Sequence, residues 1–152
     1  MLPFLIISRE DMPIRSLRSI VAGKTPITAA KTATVLEAAG RMKQQNIGAL
    51  LVVDGSRLIG VFTERDALFR VLAAGLDPGR TRLAEVMTPQ PQTIHPDEPF
   101  QHALRIMHKG KFRHLPVVEY DRPLGIVSIR DALDEDLDEF RVALMQQEET
   151  RE

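Results

Sequence analysis

Apolar positions along the chain recur with two periods, and each period marks a different kind of element. Between Val35 and Gln45 the apolar residues are Val35, Leu36, Ala38, Ala39 and Met42, spaced as one face of a helix. Phe100, Ala103, Leu104 and Met107 repeat that spacing, with Asp97 or Pro99 as the start signal. Residues 49–53, 58–62, 115–118 and 124–127 are apolar and rich in β-branched side chains, which predicts strands. Asp54-Gly55-Ser56 is a hairpin signal, and residues 119–123 read as a looser turn. Short extended pieces precede each first helix, at Pro26-Ile27-Thr28 and Gln92-Thr93-Ile94. Second helices are predicted over residues 65–74 and from Arg130 to about Leu144.

The pattern is therefore β-α-β-β-α, written twice. The copies align without a gap 65 positions apart. Pro26 meets Pro91, Thr28 meets Thr93, Met42 meets Met107, and Arg65-Asp66-Ala67-Leu68 meet Arg130-Asp131-Ala132-Leu133. A repeat of this length is one supersecondary unit that cannot bury its own apolar face, so the two copies are expected to pack through their sheets. The predicted organisation is an N-terminal segment (1–15), two repeats (16–79 and 80–145) and a tail (146–152). Residues 1–7 are apolar, too short to span a bilayer, and without the flanks of a signal peptide. They are expected to pack on the body or on a partner subunit.

Composition removes several function classes. Twenty basic and 21 acidic residues give a net charge of -1, which argues against a nucleic-acid binder. Cysteine is absent, so thiolate chemistry and disulfides are excluded, as fits a reducing cytoplasm. There is no P-loop, no dinucleotide glycine fingerprint and no nucleophile–base pairing, and no enzymatic activity is expected. All four histidines fall in the second repeat at spacings unsuited to a metal site. The acidic residues from Asp131 to Glu139 lack the pattern of a calcium loop. They read as a solvated helix face opposite a buried stripe of Leu133, Leu137, Phe140 and Leu144.

The chemistry sits where the last strand of each copy meets its helix. Gly60-Val61-Phe62-Thr63-Glu64-Arg65-Asp66 returns as Gly125-Ile126-Val127-Ser128-Ile129-Arg130-Asp131. A hydroxyl residue there caps the helix. Free amides, a hydroxyl and an arginine at a helix start suit a phosphate. The carboxylate would repel phosphate but accepts both hydroxyls of a ribose. The constellation thus fits a nucleotide better than a bare anion.

These residues resemble a tandem pair of CBS domains, the module named after cystathionine β-synthase. The resemblance covers roughly residues 16–140. It rests on the doubled unit, the two terminal heptads, Val86-Met87-Thr88-Pro89 and Arg113-His114-Leu115-Pro116-Val117-Val118. It implies an α+β fold of two repeats packed sheet-to-sheet with pseudo-two-fold symmetry. It also implies an adenosine-containing ligand in clefts between the repeats: AMP, ADP or ATP first, NAD or S-adenosylmethionine next. Carried over residue by residue, it assigns Asp66 and Asp131 to the ribose and Thr63 and Ser128 to phosphate, with Arg65 and Arg130 adding charge. Thr28 and Thr93 would frame the adenine. Gly48-Ala49 and Arg113-His114-Leu115-Pro116 would line the clefts. The first copy departs from the family at Val21-Ala22-Gly23-Lys24, and the second is locally more basic, so the two sites are expected to differ. The implied function is a non-catalytic sensor, a homodimer that reports a nucleotide to a regulated protein partner. The alternatives are a dimerisation module with vestigial sites, or a regulatory subunit of a separate enzyme such as an IMP dehydrogenase.

Overall fold

A computed structural model of the chain describes residues 16–132, 142 and 145–149. The elements in order are α1 (Leu17–Val21), β1 (Thr28–Ala30), α2 (Val35–Gln45), β2 (Ala49–Asp54) and β3 (Arg57–Thr63). They continue with α3 (Glu64–Asp66), which runs on as a π-helical segment Ala67–Leu72, then α4 (Leu83–Val86) and β4 (Thr88–Pro89). Last come α5 (Phe100–Gly110), β5 (His114–Glu119) and β6 (Arg122–Ser128). The backbone is helical again over 129–132. The predicted helix beyond that point except Val142, its apolar stripe, most of the acidic run and the N-terminal segment lie outside the described residues.

Each repeat's long helix starts and stops where its sequence dictates. Thr34 caps α2: its hydroxyl accepts from the Glu37 amide at 3.1 Å, and Glu37 accepts from the Thr34 amide at 3.1 Å, so two otherwise unpaired donors are satisfied. Helix α5 begins after Pro99, which has no side-chain cap. Asn46 and Lys111, equivalent by the 65-residue offset, end the two helices in the left-handed conformation, at φ 53° and 57°.

The hairpins repeat residue for residue. Ala49 pairs with Thr63 and His114 with Ser128, and the register shifts between Val52 and Val53 and again between Val117 and Val118. The second turn is tight, not loose: Tyr120 and Asp121 both have positive φ, 52° and 61°, the twist that a two-residue hairpin loop favours. The units differ at their first strand. β1 pairs in parallel with β2, and β4 closes a four-stranded sheet ordered β1-β2-β3-β4. The second unit forms a two-stranded sheet, with Ile94 making only an isolated bridge to Val117.

The cores are exchanged between units. Leu17, Ile20 and Val21 of α1 bury against Phe100, Met107, Leu115 and Val127 of the second repeat. Leu83 and Val86 of α4 bury against Ala38, Leu50, Phe62 and Val71 of the first. Backbone amides hold them: Arg18 N to Pro96 O at 2.9 Å, and Ala84 N to Lys31 O at 3.0 Å. Ala49, Leu51 and Val61 form a third cluster with Leu58 and Ile126 where the sheets meet, and Leu58 N donates to Asp121 O at 3.0 Å across that seam. The motif glycines lie under the exchanged segments. A Cβ on Gly60 would strike Met87, and one on Gly125 would sit 3.0 Å from Val21 Cγ1. Among the described residues no helix is long and apolar enough to cross a membrane.

Candidate functional site

The strand-to-helix corners place the motif side chains. In both repeats the first helical amide donates back to the loop before the middle strand: Glu64 N to Gly48 O at 2.9 Å, and Ile129 N to Arg113 O at 3.2 Å. This fixes each helix start beside the entry of its own hairpin.

At the first corner the motif closes on itself. Thr63 Oγ1 accepts from the Asp66 amide at 3.2 Å, and Asp66 Oδ2 accepts from the Thr63 amide at 3.0 Å. Thr88 Oγ1 lies 3.4 Å from Asp66 Oδ1, and Arg70 Nε lies 3.5 Å from the same oxygen. Arg70 also donates to Met87 O at 2.9 Å. Asp66 is 6% exposed, enclosed by its own helix and by the segment leading into the second repeat. Arg65 turns away, its guanidinium 5.3 Å from the Phe69 ring centroid.

At the second corner the motif faces a cleft of about 1370 Å³. Asp131 Oδ2 accepts from the Ser128 amide at 2.7 Å. Its Oδ1 pairs with Lys24 Nζ at 2.7 Å, across from the loop that precedes β1. Ser128 and Arg130 line the cleft with Asp131, as do Arg113 and His114 at the start of β5. The opposite wall is Thr25-Pro26-Ile27, Ile47-Gly48-Ala49 and Glu64. One end is apolar, formed by Leu36, Ala39, Met42, Leu68, Val71, Leu72 and Leu76.

The structure thus gathers Gly48, Ala49, Arg113, His114, Ser128, Arg130 and Asp131 around one space. Other predicted residues lie elsewhere. Thr63 and Asp66 form the closed corner. Thr28 sits within β1, with its carbonyl accepting from Arg41. Thr93 is exposed, and Leu115 and Pro116 are fully buried. Sequence reasoning missed Lys24, Thr25, Pro26, Ile27 and Glu64. The signal for the loop residues was their position just before β1; Thr28, the next residue, does not line the cleft.

The cleft carries mixed charge. Lys24, Lys43, Arg113 and Arg130 are its cations, and Glu64 and Asp131 its anions. Burial pushes the His114 pKa below its ordinary value of 6.5, helped by Arg113 and Arg130 and opposed by Glu64 and Asp131. A Cβ on Gly48 would meet Glu64 Oε1 at 2.6 Å and His114 Nε2 at 3.4 Å. Glycine therefore keeps this point clear. Away from the cleft, His95, Asp97 and Glu119 stand close enough to share an ion. Arg18 already binds both carboxylates, at 3.1 and 2.7 Å, so a cation would have to displace another.

Comparison with known proteins points one way. The profile of the CBS domain matches twice, over residues 14–73 and 83–138. The chain is 36% identical over 131 residues to the CBS domain-containing protein CBSCBSPB1 of Arabidopsis thaliana, covering 86% of this chain and 24% of that protein. It thus spans about a quarter of that relative's length. A protein with CBS domains from Burkholderia ambifaria superposes with a TM-score of 0.76 at 30% identity, over 82% of this chain and 95% of that one. The CBS domain pair of protein MJ0100, solved with 5′-methylthioadenosine and S-adenosyl-L-methionine, gives a TM-score of 0.74 at 32% identity, over 84% and 99%.

Proposed function

The chain belongs to the CBS-domain family, and from that premise we propose that it is a non-catalytic regulatory module binding one adenosine-containing ligand per chain. The observation that carries this reading is the cleft at Asp131, where a carboxylate, a helix start, two arginines and the loop before β1 converge. Asp131 takes the ribose hydroxyls, the Ser128 corner with Arg130 and Arg113 takes the phosphate, and Thr25-Pro26-Ile27 flank the base. AMP or ADP fits this division of charge, with ATP, NAD and S-adenosylmethionine as further candidates. The corner at Asp66 is structural in this reading, because its carboxylate is already satisfied by its own helix and by Thr88 and Arg70.

The cleft exceeds the roughly 300–1,000 Å³ of common small-molecule sites, and its surplus is the apolar end. Leu36, Leu68, Leu72 and Leu76 are exposed there, beside Phe69 on the same π-helical segment. That surface suits a second copy of the chain or a regulated protein, and a ligand at Asp131 borders it. A ligand with different affinity for two arrangements of the repeats then biases what that partner meets. A second reading keeps only this surface, as a dimerisation module indifferent to ligand, and the closed Asp66 corner favours it.

A thermal-shift panel of AMP, ADP, ATP, NAD, S-adenosylmethionine and 5′-methylthioadenosine tests the first reading. A ligand at a hundredfold its dissociation constant stabilises the fold by about 2.7 kcal/mol. A rise in melting temperature with at least one ligand supports the sensor. A flat panel, with a dimer of unchanged size in every sample, leaves the second reading.

A further inference from the structure

We propose that Lys24 is the specificity-determining residue of the cleft, holding Asp131 when the site is empty and exchanging that carboxylate for the ligand's phosphate. The proposal rests on the reading of the cleft as an adenosine site. Asp131 Oδ2 accepts from the Ser128 amide at 2.7 Å, and Oδ1 is the oxygen turned toward the loop that precedes β1. Lys24 Nζ holds that oxygen at 2.7 Å. A ribose diol arriving at this carboxylate meets the ammonium there and shares or displaces its bond.

The competition has different outcomes for different ligands. Hydroxyls are neutral donors, and bonds from a charged donor to a carboxylate are about twice as strong. A ligand offering only a nucleoside therefore displaces Lys24 and gives it nothing in return. A ligand with a phosphate gives the released ammonium a new anion, beside Arg113 and Arg130. Lys24 can make the exchange. Its side chain is 48% exposed, it lies in the coil between α1 and β1, and lysine is a point charge on a flexible stem with freely turning donors. The first repeat has no such device, because Pro89 stands at the position equivalent to Lys24.

Titration calorimetry on the full chain and on Lys24→Met, with AMP and with adenosine, tests the proposal. The native chain should prefer AMP to adenosine by at least about tenfold, from the added charge-assisted bond. Lys24→Met should weaken AMP about ten- to thirtyfold and leave adenosine unchanged or tighter, so that the preference collapses. Lys24→Arg, which keeps the charge, should restore most of it. If Lys24→Met weakens both ligands alike, or leaves the preference intact, the exchange is wrong while the adenosine site stands. If the native chain takes up neither ligand, the adenosine site falls and the exchange falls with it.

Discussion

Asp66 and Asp131 hold equivalent positions in the two repeats, yet their surroundings have diverged. Asp66 is enclosed by Thr63, Thr88 and Arg70. Asp131 faces a cleft and pairs with Lys24 from the loop before β1. The comparison shows how a duplicated motif can divide its labour. A carboxylate that caps a helix is one step from a ligand site, and the residues arriving from the other repeat decide which it becomes. In the first repeat that arrival is Thr88, a neutral hydroxyl in strand β4. In the second it is Lys24, a cation on the loop before β1.

Three substitutions sharpen this comparison, taken from the largest expected effect. Asp131→Ala should weaken AMP binding by roughly ten- to a hundredfold, the worth of hydrogen bonds to a charged acceptor, read by calorimetry. Asp66→Ala should leave binding nearly intact and lower unfolding free energy by about 1–2 kcal/mol, since it removes a capping box and uncouples the linker. Denaturant melts check this, and reversed effects at the two aspartates would break the comparison. Arg65→Ala should change both quantities little, because the side chain rests on an exposed Phe69 ring; such contacts contribute about 0.5–1 kcal/mol at the surface.

Acidity probes the cleft through His114. Its folded-state pKa is lowered, so the unfolded chain binds more protons just below the ordinary value of 6.5. Stability should therefore fall as the pH drops through that value, and cease to fall below the lowered pKa. His114→Gln should flatten this slope in melts run from pH 8 to pH 5. A phosphate in the cleft would raise the His114 pKa, so binding near pH 6 should take up protons, detectable by calorimetry in buffers of different ionisation enthalpy.

The doubled unit was legible because both periods of apolar spacing survive in both copies. The register repeats accordingly, down to the shift after Val52 and Val117. The family followed from the two heptads, and the matches over 14–73 and 83–138 agree. The exchange of α1 and α4 between cores was not legible: Leu17 and Leu83 are short apolar signals whose partners lie far along the chain. The inequality of the two corners was foreseen only as an expected difference between sites. Nothing local to Thr63-Glu64-Arg65-Asp66 announces that Thr88 and Arg70 will close over it. Lys24 was noticed only as part of a departure from the family pattern, since its meaning depends on Asp131, more than a hundred positions away.

The most direct test is the stoichiometry of AMP binding to the native chain by titration calorimetry. One AMP per chain, weakened in Asp131→Ala and retained at full strength in Asp66→Ala, is the predicted result. Two per chain, or a single site that disappears with Asp66 and survives without Asp131, would contradict it.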